Sequence, residues 1–406
     1  MNEKVYIIQP VENENCRILH QEAVALIESA GAEYVGTSYQ NIRQINPATY
    51  IGSGKAEEIS AELGDEELTV LFNGELSPSQ VLNLSDALGG KKVIDRTTLI
   101  LDIFALRAES SEGKIQVELA QLKYIYPRLR GKGAALSRLG GGIGTRGPGE
   151  TKLETDRRHI KARIRALEEK LKSTERRRSL TVQRRKKERV RTIALVGYTN
   201  VGKSTLMNAL TGADVFVKDA LFATLDPTSR NFEIEGIPFL LVDTVGFLQD
   251  LPHHLIEAFK STLESAVNCD LALIVCDGTG DYEMQLTTTL DTLKSLGFAS
   301  PYLTVMNKCD AAEADAVFPK DCVLISAKSG TGLDTLNAKI LASLKDEYYD
   351  IKLRFSYADM KEYGALRSLI YAEKSAYTDD GLFVTGRIDC KDLSKFSRFL
   401  TEIPKT

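Results

Sequence analysis

The sequence predicts an α/β multidomain protein, and three observations carry that expectation. Residues 1–111 alternate short β-like runs with helical stretches, and residues 112–190 change to a heptad apolar pattern in a strongly basic background. Beyond them a short apolar strand, "RTIALV", runs directly into G-x-x-x-x-G-K-[ST] between Gly197 and Ser204. Length and composition agree: 406 residues, 43% hydrophobic and 27% charged, are those of a globular chain of two to four domains. No apolar run approaches the roughly 18 residues of a membrane helix, and "MNEKVYIIQP" has no basic and apolar regions of a signal peptide. We therefore expect a cytoplasmic protein with no membrane span. Six cysteines without a C-x-x-C pair suggest free thiols, and the four histidines join no set with metal-ligand spacing.

The first part reads "KVYIIQP", "CRILHQEAVALIESAG", "AEYVGTS", "KAEEISAEL", "LTVLFNG", "SPSQVLNLSDAL", "KKVIDR" and "TTLILDIFALRA". That rhythm predicts an N-terminal α/β layer domain over 1–111 with mostly parallel strands. Within it "YIGSGKAEEI" imitates a phosphate loop, but Thr49 stands where the first glycine belongs and Ala56 where the hydroxyl belongs. Gly52 and Gly54 are therefore read as a helix-initiating turn.

Residues 112–190 predict a long basic antiparallel helical hairpin. Ile115, Leu119, Leu122, Tyr126 and Leu129 form one apolar stripe, and Leu153, Ile160, Ile164, Leu167 and Leu171 a second. Pro127 should kink the first helix near its end. From Arg157 to Arg191 there are 16 Lys/Arg against 4 Asp/Glu, a local +12 that leaves −16 for the rest of the chain. A block this basic in an acidic protein points to a polyanion.

Between the stripes, Gly142, Gly144 and Gly147 spell G-x-G-x-x-G. A dinucleotide fingerprint needs a strand before it and an acidic residue about 20 positions on; here a helical arm precedes, Pro148 follows and the region beyond is basic, so the match is accidental. The glycine-rich tip loop over 138–150 exceeds what a hairpin turn requires. It should project Arg138, Arg146 and Lys152, backed by Arg157 and Arg158, into an RNA groove or pocket.

The chemistry lies in the next segment. In "GYTNVGKST" the backbone of Gly197, Asn200, Val201, Gly202 and Thr205 is expected to wrap phosphates, Lys203 to reach the β and γ oxygens, and the Ser204 hydroxyl to bind Mg2+. "FLLVDTVGF" is a second apolar strand whose Asp243 can hold the magnesium through water, while the Gly246 amide senses the γ-phosphate. Between them, Thr224 in "LFATLDPTSR" offers a second hydroxyl to the metal. "YLTVMNKCD" ends in Asn307, Lys308 and Asp310, whose carboxylate accepts the N1–H and N2–H of guanine, which adenine lacks. "DCVLISAKSG" ends a fourth strand at Ser326, Ala327 and Lys328, where backbone meets the guanine oxygen. These elements in order predict a P-loop G domain over 191–348, a mixed sheet flanked by helices, with Lys203, Thr224 and Gly246 at the reacting phosphate.

Directly after D-x-x-G stands Phe247, where a water-orienting Gln or His is often found. A phenyl ring cannot orient water, so turnover alone should be slow and completed by a partner. Asn200 leaves two roles open, a ligand to K+ in place of an arginine finger, or a hydrogen bonder of the loop.

Taken together, "GSGK", "GGGIGTRGPGETKLETDRR", "GYTNVGKST", "FATLDPT" and "DTVGFLQDLPHHLIEAF" resemble the HflX family of the Obg-HflX GTPases, over about residues 1–348. The resemblance implies a Mg-dependent GTPase that binds the 50S subunit and its 23S rRNA, pushes the arm toward the peptidyl transferase centre and splits stalled or idle 70S ribosomes under stress. Two other readings stay open: an rRNA-binding assembly or remodelling GTPase, and a GTP switch with a protein effector. Residues 349–406 read as a small C-terminal α+β domain, and we expect a monomer.

Overall fold

Strand β1 (Lys4–Val11) is buried along nearly its whole length, as a strand covered on both faces must be. In the computed structural model it lies inside a four-stranded sheet with β2 (Glu33–Asn41), β3 (Thr69–Phe72) and β4 (Lys92–Asp95), in the order β2-β1-β3-β4 and parallel throughout. The residues described are 3–11, 16–137, 155–174, 190–213, 221–222, 224–249, 252, 255, 263, 266–313, 316–344 and 348–401, with backbone alone for 129–137. The chain divides into two compact units. Met1–Arg184, Val217–Pro227 and Val245–Glu264 form the first; Arg185–Phe216, Thr228–Thr244 and Ser265–Thr406 form the second.

In the first unit the parallel sheet is connected by helices α1 (Cys16–Ser29), α2 (Ser53–Leu63) and α3 (Pro78–Ala87), and β4 leads into α4 (Arg96–Arg107). Each start has a local cause. Gly52 is the N-cap of α2, so "GSGK" initiates a helix as expected. Ser77 and Gln80 form a reciprocal capping box before α3, and Asp95 caps α4 by accepting from Thr98 N at 3.0 Å.

The helical region consists of α5 (Ser111–Ser137) and a helix over 155–174, here α6. Arg163 pairs with Glu118 at 2.6 Å and Lys123 with Glu168 at 2.8 Å. Of the stripe expected on α6, Leu167 is buried and Ile160, Ile164 and Leu171 are half-buried, and Leu153 lies outside the described residues. On α5 the buried face differs from the expected stripe. Gly113, Gln116, Val117, Leu119 and Ala120 are buried, whereas Ile115, Leu122 and Tyr126 are only half-buried. The reason is that α5 also packs on α3 and α4, which draws in the adjoining helix face. Pro127 lies inside α5, which continues to Ser137.

The second unit holds a six-stranded sheet in the order β10-β9-β8-β5-β7-β6. Its strands are β5 (Arg191–Gly197), β6 (Thr228–Ile234), β7 (Ile237–Asp243), β8 (Leu271–Asp277), β9 (Tyr302–Asn307) and β10 (Val323–Leu324). All pairs are parallel except β6 with β7, so the sheet is mixed. Helices α7 (Lys203–Thr211), α8 (Tyr282–Ser295) and α9 (Leu333–Ser343) belong to this unit. Motif reading passed over β6 and β8, neither of which carries a motif, and it overextended the fourth strand. Pairing of β10 stops at Leu324, leaving Ser326–Lys328 in a loop.

The same unit contains a three-stranded antiparallel sheet, β11 (Tyr348–Phe355), β13 (Gly381–Asp389) and β12 (Tyr371–Thr378), with short helices α10 (Met360–Leu366) and α11 (Leu393–Phe396). Burial in β11 alternates over its second half, and Phe355 stacks on Phe399 at 4.4 Å in the core this creates. Two ion pairs join this sheet to the larger one: Arg191 to Asp389 at 3.2 Å, and Arg387 to Glu235 at 2.5 Å. Glu235 and Gly236 are the left-handed turn of the β6–β7 hairpin, and a Cβ on Gly236 would come within 2.9 Å of Ala372 N.

Candidate nucleotide-binding site

Strand β5 ends at Gly197 and α7 begins at Lys203, so Tyr198–Gly202 form the loop between them. Two glycines are sterically required there. A Cβ on Gly197 would lie 2.2 Å from Val275 O, and one on Gly202, at φ +90°, would lie 2.4 Å from Asn307 Nδ2. We expect Gly202→Ala to destabilise the fold by about 2–4 kcal/mol, because it forces a left-handed alanine and displaces a buried hydrogen bond. A thermal unfolding midpoint equal to that of the parent would contradict this.

Lys203 is buried and curls over the loop, donating to Tyr198 O at 2.7 Å and Gly197 O at 3.1 Å. Burial pulls its ammonium down to about 8, against the opposing pull of Asp243. Ser204 Oγ donates to Asp243 Oδ2 at 2.6 Å, and Thr244 Oγ1 donates to Leu195 O at 2.7 Å, which fixes the end of β7 against β5. A hydroxyl and a carboxylate side by side are the hard oxygen donors that magnesium takes together with phosphate oxygens, so these residues fit that ion. Among the described residues no cluster of three or more His, Cys, Asp or Glu forms a separate metal cage.

The base-side residues brace the loop as well. Asn307, 2% exposed, donates from Nδ2 to Val201 O at 2.8 Å and accepts at Oδ1 from Ala327 N at 2.9 Å. One amide thereby ties the phosphate loop, β9 and the Ser326–Lys328 loop together. Lys308, at φ +62°, donates to Asn200 O at 2.9 Å and pairs with Asp277 at 2.6 Å. Burial raises the Asp277 carboxyl, but hydrogen bonds from Lys308 and Thr279 outweigh it and hold the group below its ordinary value. Asn200, Asp310 and Lys328 are exposed, and Ser326 and Ala327 are buried.

The structure thus brings Gly197, Asn200, Val201, Gly202, Lys203, Ser204, Asp243, Asn307, Lys308, Ser326 and Ala327 into one connected set. Thr224 and Gly246 belong to the segments that cluster with the first unit, where Phe247 is a core side chain, 1% exposed. Asp277 was missed in the sequence, although the apolar run "LALIVCD" ends in a carboxylate as β7 does. Of the arm residues, Arg138, Arg146 and Lys152 lie outside the described residues. Arg157 sits over the Tyr126 ring at 5.3 Å and Arg158 is exposed.

Three family models match in succession: a GTP-binding GTPase N-terminal region over 19–105, a GTP-binding GTPase middle region over 107–185, and a 50S ribosome-binding GTPase over 192–308. The GTPase HflX of Caldanaerobacter subterraneus subsp. tengcongensis is 47% identical over 97% of this chain and 92% of its own length. The GTPase HflX of Escherichia coli K12 is 41% identical over 89% of this chain and 87% of its own. A solved GTP-binding protein from the archaeon Sulfolobus solfataricus, in complex with GDP, is 27% identical over 84% of this chain and 98% of its own, with a TM-score of 0.44. With the phosphate loop, the strand-end carboxylate and the braced N-K-x-D in place, and relatives matched over nearly their full length, the chain belongs to the HflX family of GTPases.

Proposed function

We propose that this protein is a Mg-dependent GTPase of the large ribosomal subunit that splits stalled or idle 70S particles and leaves on hydrolysis. What carries the reading is the union, in one chain, of a guanine-nucleotide site with a helix whose exposed face is basic. On α6, Arg158, Lys161, Arg163, Arg165, Lys170 and Lys172 are all exposed, which suits a phosphate backbone. The family model over 192–308 bears the description of a 50S ribosome-binding GTPase, which supports the same partner.

In this reading Ser204 and Asp243, joined by Thr224, hold magnesium, which supplies charge neutralisation at the β and γ phosphates. Lys203 holds the phosphate oxygens, the loop amides wrap them, and Asp310 selects guanine. Phe247 offers no hydrogen bond to a water, so hydrolysis depends on a group supplied by the partner. Arg138, Arg146 and Lys152 of the tip, with Arg157 and Arg158, contact 23S rRNA.

GTP turnover measured alone and with purified 50S, 30S and 70S particles, while sedimentation follows the 70S peak, tests this. Stimulation of at least about a hundredfold by 50S or 70S, the low end of what one supplied catalytic group provides, is expected together with loss of the 70S peak. No stimulation by any particle would overturn it. The same assay in potassium and in sodium salts decides between the two roles of Asn200.

A further inference from the structure

The segment carrying Thr224 is anchored on both sides of that residue. Two positions before it, Phe222 is 2% exposed at φ +54° and packs edge-on against Phe104 of α4, ring centroids 4.6 Å apart. Next to it, Leu221 N donates to Ser29 Oγ at 3.0 Å. Two positions after Thr224, the Asp226 carboxylate accepts from Glu109 N at 2.9 Å, from Ser110 N at 2.8 Å and from Ser110 Oγ.

Ser110 is also the cap of α5. Its Oγ accepts from Gly113 N at 2.8 Å, and its carbonyl accepts from Lys114 N at 3.0 Å. Asp226 therefore orients the hydroxyl that starts the basic helical region, and its negative charge lies where a helix start favours one. The approach is close enough to dictate sequence on the other side: a Cβ on Gly113 would fall 2.2 Å from Asp226 Oδ1. Neither Asp226 nor Gly113 belongs to the phosphate loop, the metal ligands or the guanine contacts.

We propose that Asp226 is the positioning residue that ties the Thr224 loop to the root of α5, so that the state of the nucleotide site is read out as capping of the basic helical region. The proposal rests on the reading of Thr224 as a residue that closes on the GTP-bound metal. Thr224 and Asp226 are separated by one residue, Leu225, itself 2% exposed. A displacement of Thr224 toward the nucleotide is thereby passed to a carboxylate holding two backbone amides and the capping hydroxyl. Loosening of those bonds exposes the amides of Glu109, Ser110 and Gly113 to solvent.

Amide hydrogen exchange on the full chain tests this, comparing GDP with a non-hydrolysable GTP analogue and measuring nucleotide affinity in the same preparations. In the parent protein, exchange over residues 109–113 should differ between the two nucleotides by at least about threefold, as local opening responds to a lost cap. Asp226→Asn, which replaces one acceptor oxygen by a donor, should abolish the difference while nucleotide affinity stays within about twofold. Gly113→Ala expels the same carboxylate without altering it and should act alike. The double variant should behave as either single one, the non-additivity expected of two changes at one contact. Equal exchange in the two nucleotide states of the parent, or a difference that survives Asp226→Asn, would overturn the proposal. Failure of the parent to bind either nucleotide would instead remove the GTP reading on which it rests.

Discussion

Lys203→Ala should reduce GTP affinity by at least about a hundredfold, the loss expected when one partner of a buried, charge-assisted contact is removed. The ammonium is the buried cation of the loop and already points at two loop carbonyls, Gly197 O and Tyr198 O. A phosphate takes the place of neutral oxygens with charged ones. Titration with a fluorescent guanine nucleotide reads the loss directly, and a variant that binds within tenfold of the parent would contradict the assignment. The titration behaviour of the same group adds a signature. Burial holds the Lys203 ammonium at about 8, and the negative charge of a bound phosphate would raise it again. Between the two values binding takes up a proton, so affinity is flat below about pH 8 and falls above it, by up to about tenfold per pH unit. Lys203→Ala should show no such fall, and a parent protein with constant affinity from pH 7 to about 9.5 would rule out this role for Lys203.

Asp310→Asn should be the second large effect, a loss of at least about a thousandfold for GTP, since a site built for a hydrogen-bonding pattern rejects a mismatched partner strongly. In its proposed role the carboxylate accepts two N–H groups of guanine. The amide can accept one and presents its NH2 to the other. Xanthine, with an oxygen where guanine has its amino group, restores the match, so XTP should bind the variant better than GTP does. Competition between the two nucleotides checks this, and retained preference for GTP would remove Asp310 from the base contact. Its exposed position, in contrast to the buried Asn307, leaves its carboxylate accessible to a ligand.

That contrast also shows how far the sequence could be read. Spacing predicted that the P-loop motif, Asp243 and N-K-x-D stand at strand ends, and β5, β7 and β9 end where those motifs begin. It did not reveal that Asn307 and Lys308 serve as braces, since their partners Val201 O, Ala327 N and Asn200 O are backbone atoms brought close only by the sheet order. Strand β6 escaped for the opposite reason, having regular strand character but no chemistry to mark it, and β8 because its terminal Asp277 belongs to no fixed motif. The buried face of α5 was misplaced because heptad spacing describes one neighbour, and α5 has several. Contacts of Asp226 span more than a hundred residues of sequence, beyond anything periodicity can report.

The pinned turn at Glu235 and Gly236 has a mechanical consequence. Strands β6 and β7 meet at this turn, which is fastened by Arg387 and packed against Ala372, all within the second unit. The small C-terminal sheet thus clasps the β6–β7 ribbon at its bend, so that a side chain at Gly236 could be admitted only by prising the two sheets of the second unit apart.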